Sequence, residues 1–124
     1  MTRILVVEDD ARNRQLYRDV LIPAGYTVVE AVDGESAIPA WREHHPDIIL
    51  LDIGLPGISG LEVARQIRRS EKHDEHVPIL AVTSYTAGDD PEKAFAAGCD
   101  AYMPKPVNLE ELKTKLEEVL KLAR

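Results

Sequence analysis

The sequence predicts an α/β fold of the (βα)5 kind, a doubly wound five-stranded parallel sheet. Three observations carry this. Short aliphatic runs alternate five times with segments of helical period, several of those segments open on capping residues, and no repeat, linker or low-complexity stretch interrupts the series across 124 residues.

Residues 4–7 form the first run, apolar throughout and suited to a strand buried on both faces. Glu8, Asp9 and Asp10 follow it, and Asp10 is placed to cap a helix over 11–22, which Pro23 should end early. Residues 26–30 are more mixed and fit an edge strand. The second helix, 34–44, contains Pro39, which lacks a donor N–H and should kink or shorten it. Residues 48–51 are the most apolar strand and run into Asp52. Ser59 with Glu62 makes a capping box for a helix over 60–70. Residues 79–82 form the fourth strand, followed by Thr83 and Ser84. Asp90 before Pro91 supplies an N-cap and a first-turn proline, and Gly98 closes that helix after 91–97. Residues 100–103 fit a second edge strand. Asn108 with Glu111 opens the last helix, 109–122, where Leu109, Leu112, Leu116, Val119 and Leu120 form one apolar stripe. Strands joined by helices run parallel, and right-handed crossovers put helices on both faces.

Apolar residues make up 44% and charged residues 30%, enough for one domain over residues 1–124 with its own core. Fifteen basic against twenty-two acidic side chains leave a net charge of −7, which argues against nucleic-acid binding. Arg12 with Arg14, and Arg65 with Arg68 and Arg69, are interleaved with acids and read as solvated helix faces. Cys99 has no partner for an internal disulfide and reads as a small buried residue. The first residues lack the form of a signal peptide, and no apolar run approaches a membrane span. A cytoplasmic protein with no membrane association is expected.

In a doubly wound sheet, ligands bind beyond the carboxyl ends of the strands. Glu8, Asp9 and Asp10 stand there after strand one, Asp52 after strand three, Thr83 and Ser84 after strand four, and Lys105 after strand five. Strand two, ending in Glu30 and Ala31, adds nothing to this set. Converging carboxylates repel one another and imply a cation, and all-oxygen ligands favour Mg²⁺. A lysine and a hydroxyl beside them suit an anionic guest. Together these groups suit phosphoryl transfer, in which positioning and charge stabilisation do most of the catalysis. One carboxylate can be the acceptor, forming an acyl phosphate. Asp52, after the most apolar strand, is the candidate. Asp10 is read as a cap and not a ligand. His44, His45, His73 and His76 have no supporting ligands, so no second metal site is expected. Trp41 and Phe95 read as core or helix-face residues.

Val6-Val7-Glu8-Asp9, Leu50-Leu51-Asp52, Leu55-Pro56-Gly57-Ile58-Ser59-Gly60, Val82-Thr83 and Lys105-Pro106 together resemble the receiver domain of two-component response regulators. The resemblance runs from Arg3 to the last helix. Gly98-Cys99-Asp100-Ala101-Tyr102 further resembles the stand-alone cell-cycle regulators of the DivK type. The resemblance implies the flavodoxin-like, CheY-like strand order 2-1-3-4-5. It implies that Asp52 accepts a phosphoryl group from a phosphohistidine on a histidine kinase or a histidine phosphotransfer protein. Asp9 and Asp52 would hold Mg²⁺ directly, Glu8 through a water, and Gly54 through its backbone carbonyl. Thr83 and Lys105 would each take a phosphoryl oxygen, Tyr102 would be the aromatic switch, and the Lys105–Pro106 peptide would be cis.

The function expected is that of a stand-alone response regulator in a phosphorelay, signalling by protein contacts and turning over no separate substrate. Its output surface is expected on helix 91–97, strand 100–103 and helix 109–122, with residues 84–90 free to move and the chain a monomer or weak dimer. Gly54 and Tyr85 are expected to tune dephosphorylation. Two alternatives stand beside this reading. One is a phosphorylation-independent interaction module on the same fold. The other is a Mg²⁺-dependent hydrolase with an aspartyl-phosphate intermediate, against which Gly54 stands where a second carboxylate would be needed.

Overall fold

A short aliphatic run leaves its backbone N–H and C=O groups unpaired until neighbouring strands supply partners, and here five runs do this for one another. The computed structural model describes residues 1–84 and 91–123. In chain order the elements are β1 (Arg3–Val7), α1 (Ala11–Leu21), β2 (Thr27–Ala31), α2 (Gly34–His44), β3 (Ile48–Asp52), α3 (Gly60–Ser70), β4 (Ile79–Thr83), α4 (Pro91–Ala97), β5 (Ala101–Pro104) and α5 (Leu109–Leu122). All pairings are parallel and the strand order is β2-β1-β3-β4-β5, as expected. The two mixed strands, β2 and β5, are the edges. β3 and β4 each run one residue further than expected, so Asp52 and Thr83 are the last residues of their strands.

Alternation along the strands divides the core between the two faces. Leu5, Val7, Ile49, Leu51, Ile79 and Ala81 pack with Trp41 of α2, Val63 and Ile67 of α3, and Ala94 and Ala97 of α4. Ile4, Val6, Ile48, Leu50, Leu80 and Val82 pack with Tyr17 and Leu21 of α1 and with Leu112, Leu116 and Val119 of α5. The register aligns Val7 with Leu51, Leu51 with Ala81, and Ala81 with Tyr102. One residue further along, Glu8 and Asp52 therefore stand level at the carboxyl rim.

Asp10, Ser59 and Asn108 cap their helices as read, but the Ser59–Glu62 box is corrected to a one-sided cap. Asp10 accepts from the N–H groups of Arg12 and Asn13, Ser59 Oγ from Glu62, and Asn108 Oδ1 from Glu110 and Glu111. Glu62 turns its carboxylate to Gln66 and Arg69. Gly98 takes φ +109° and closes α4, with its N–H on the Phe95 carbonyl. The expected cap Asp90, Tyr85 and the rest of the stretch 85–90 lie outside the described residues.

Two expectations are corrected. Pro39 does not shorten α2, which runs unbroken from Gly34 to His44. Pro39 is exposed and leaves only the Glu35 carbonyl without its helical donor, on a side of the helix that water reaches. The basic residues are not all solvated: the side chains of Arg14 and Arg68 are only 16% and 18% exposed, and both are engaged in the interior of charged networks. Cys99 is buried, and burial pushes its thiol up to about 12. Trp41 is core and carries the Arg42 guanidinium 4.0 Å from its ring centroid. No helix among the described residues is long and apolar enough to cross a membrane.

Candidate functional site

A carboxylate taken out of water is costly unless something compensates it, so buried acids locate a site. Glu8 and Asp52 are 2% and 4% exposed, and Thr83 is 1% exposed. Each stands where a strand meets the carboxyl rim. Oxygens from Glu8, Asp9 and Asp52 lie within 4.8 Å of one another, Asp9 being the exposed member. This is the one such metal-capable group found among the described residues.

Asp52 Oδ1 accepts from the Gly54 N–H at 3.0 Å and meets Lys105 Nζ at 2.9 Å. Lys105 is delivered by the turn after β5, where its N–H bonds the Thr83 carbonyl at 2.8 Å. The Lys105–Pro106 peptide is cis, as expected. Glu8 Oε2 accepts from the Asp10 N–H at 3.0 Å. Burial, with a smaller contribution from the Asp52 charge, nevertheless raises the Glu8 carboxyl from its ordinary 4.5 to about 7. Burial and the same two carboxylates push the Tyr17 hydroxyl upward, so it stays neutral.

The turn after β3 is shaped by two glycines with opposite demands. A Cβ on Gly60 would fall 2.3 Å from the Asp52 carbonyl oxygen and 2.6 Å from the Ile53 Cα. Only glycine lets the start of α3 close against the strand behind Asp52. A Cβ on Gly54 would meet Asp52 Oδ1 at 3.8 Å, an ordinary contact, so this position is open to a side chain.

The structure thus brings Glu8, Asp9, Asp52 and Lys105 together, with Thr83 at the end of the adjoining strand. Asp10 serves as a cap, as read. Tyr102 is half-buried on β5, its ring edge-on to Phe95 with centroids 5.7 Å apart. His76 pairs with Asp100 Oδ1 at 2.7 Å. One contributor went unread. Arg14 donates to the carbonyl oxygens of both Glu8 and Asp9, and it pairs with Glu30 of β2. β2, expected to add nothing, therefore supplies an anchor. The i, i+4 spacing of Arg14 and Arg18 opposite a lone strand glutamate was the available signal.

Chemically, three carboxylates and one lysine leave a surplus of negative charge that a hard dication would neutralise. The donor set fits Mg²⁺. With this arrangement on a 2-1-3-4-5 sheet, the chain belongs to the response regulator receiver domain family, which matches residues 4–117. Receiver domains bind Mg²⁺ at such an acidic site. The polar-differentiation response regulator DivK of Brucella ovis is 40% identical over 106 residues, spanning 86% of this chain and 85% of that protein. DivK from Brucella abortus matches to the same extent. Among solved structures, the chemotaxis response regulator CheY4 of Vibrio cholerae is 30% identical with a TM-score of 0.87, over 96% of this chain and 98% of that one. The receiver domain of the sensor histidine kinase PA1611 from Pseudomonas aeruginosa is 32% identical with a TM-score of 0.86, over 97% and 98% of the two chains, and holds a magnesium ion in its active-site cleft.

Proposed function

We propose that residues 1–124 act as a receiver that takes a phosphoryl group onto Asp52 from a phosphohistidine of a histidine kinase or phosphotransfer protein. The observation that carries this is the convergence of Glu8, Asp9 and Asp52 within 4.8 Å, with Lys105 on Asp52, in a chain of the receiver family. Asp52 Oδ1 is held by Gly54 and Lys105, which directs Oδ2 to phosphorus. The new O–P bond forms as the P–N bond breaks, and its electron pair stays on the imidazole nitrogen. Asp9, Asp52 and the Gly54 carbonyl would hold Mg²⁺, with Glu8 assisting beside them. When bound, the ion shields the carboxylates from the incoming phosphoryl oxygens and offsets charge building on them.

Lys105 moves from the carboxylate to a phosphoryl oxygen, and Thr83 donates to another. The added charge of about −1.5 to −2 and three acceptor oxygens shift a pre-existing balance of states. Tyr102 follows that shift. A groove lined by Phe95, Tyr102, Met103, Lys115, Val119 and Leu122 runs between α4, β5 and α5 and is the face we assign to a downstream protein. The chain works as a monomer or weak dimer, without nucleic acid and without turning over a separate substrate.

Incubation with acetyl phosphate and Mg²⁺, read by intact mass, tests the proposal. One phosphoryl group should appear on the wild type and none on Asp52→Asn. A wild type that gains nothing, or a gain that survives Asp52→Asn, overturns it in favour of a phosphorylation-independent module.

A further inference from the structure

Glu8 and Asp9 are consecutive residues on a turn, and their carboxylates repel each other and Asp52. Something must hold that turn in one conformation. Arg14, one turn into α1, donates from a single Nη1 to the Glu8 carbonyl at 2.9 Å and to the Asp9 carbonyl at 2.9 Å. Two bonds to successive carbonyls fix both peptide planes, and with them the directions in which both side chains leave the backbone. The guanidinium is itself tethered. Its Nε lies 3.4 Å from Glu30 Oε1, while Arg18 takes Glu30 Oε2. Glu30 pairs in register with Val6, so it projects from β2 onto the face that α1 covers. Arg14 and Arg18 are one helical turn apart and close on it from two sides.

We propose that Arg14, anchored by Glu30, is a positioning residue that holds the Glu8–Asp9 turn in the conformation that receives a divalent cation. The inference rests on the reading of the acid cluster as a Mg²⁺ site. It makes a physical choice between two effects of the same group. As a positive charge near the site Arg14 would weaken cation binding. As a brace on two ligand residues it strengthens it. Residues that orient metal ligands typically contribute 10- to 100-fold in affinity, whereas a charge turned toward backbone carbonyls and paired with Glu30 is largely offset. Bracing wins.

The test uses the full chain as wild type, Arg14→Met, Arg14→Lys, Glu30→Gln and the Arg14→Met/Glu30→Gln pair. Mg²⁺ affinity is measured by titration calorimetry, and amide exchange of Asp9 and Asp10 by NMR in metal-free protein. The Asp10 amide reports directly, because it donates to Glu8 Oε2. Arg14→Met should weaken Mg²⁺ binding by about tenfold and speed exchange at both amides. Arg14→Lys and Glu30→Gln should do so less, and the double variant should be no worse than Arg14→Met alone, since the two act as one unit. Unchanged or tighter Mg²⁺ binding in Arg14→Met, unchanged exchange, or additive effects in the double variant would overturn the inference. If Arg14→Met fails to fold, Arg14→Lys and Glu30→Gln decide by the same readouts. A wild type that takes up no Mg²⁺ overturns the cation-site reading and this inference's purpose with it, while faster exchange in the variants would still establish the brace.

Discussion

Two clusters of charge sit at opposite ends of the sheet, and they are built on opposite rules. At the amino end of β4 and β5, Arg68 Nη1 meets both oxygens of Glu71 at 3.0 Å, Nη2 meets Asp100 Oδ2 at 2.9 Å, and Nε donates to the Gly98 carbonyl at 2.9 Å. The Ile79 N–H adds to Asp100 Oδ2 and the Val77 N–H to Glu71 Oε2, while His76 holds Asp100 Oδ1. These bonds fasten the end of α3, the segment before β4, the close of α4 and the start of β5. At the carboxyl rim Glu8, Asp9 and Asp52 face one lysine. The first cluster is saturated and holds the fold. The second keeps a surplus of one sign, which costs stability and creates affinity for what neutralises it. Buried charge alone does not mark a functional site. Acids that converge on one point do.

The comparison is broken most strongly by removing the centre of the saturated cluster. Arg68→Met leaves the 7%-exposed Glu71 side chain without its cation. Loss of one partner of a fully buried pair costs about 3–5 kcal/mol; with Asp100 31% exposed, about 2–3 kcal/mol is expected, read from urea unfolding. Phosphorylation by acetyl phosphate should survive in the fraction that remains folded.

At the rim the same kind of substitution should have the opposite sign. In metal-free protein Glu8 titrates near 7 when folded and near 4.5 when unfolded. Between those values the folded state keeps a proton that the unfolded state has lost. The stability this group contributes is therefore full below 4.5 and is lost as pH rises through 7. Glu8→Gln should match the wild type at pH 4 and exceed it at pH 8 by about 3 kcal/mol, measured by urea unfolding in chelator. Equal stability at pH 8 would show that the acid cluster carries no strain.

The smallest effect is expected at Gly54. Its Cβ would find only an ordinary 3.8 Å contact with Asp52 Oδ1, so Gly54→Ala should change stability by less than about 0.5 kcal/mol. A larger loss in a thermal melt would mean that the turn has no spare room, as at Gly60.

Much of this was legible in the sequence. The aliphatic runs at 4–7, 48–51 and 79–82 could be buried only as central strands, and the mixed runs around 26–30 and 100–103 became the edges. Asp10, Ser59 and Asn108 cap within three residues of themselves, so local sequence suffices to see them. That Pro39 leaves the length of α2 intact was not legible, because the consequence of a missing N–H depends on whether the orphaned carbonyl faces water.

What the sequence determined by itself was what short-range physics controls: the period of each element, its caps, and the acids and lysine that follow particular strands, with Asp52 foremost. Tertiary structure alone decided which groups meet. Arg68 and Asp100 are 32 residues apart, Arg18 and Glu30 are 12 apart, and Lys105 reaches Asp52 across the sheet. It also decided that Glu8 is buried enough to hold its proton near neutrality. Distances across the fold and exclusion of water are properties of the packed chain, and no local pattern encodes them.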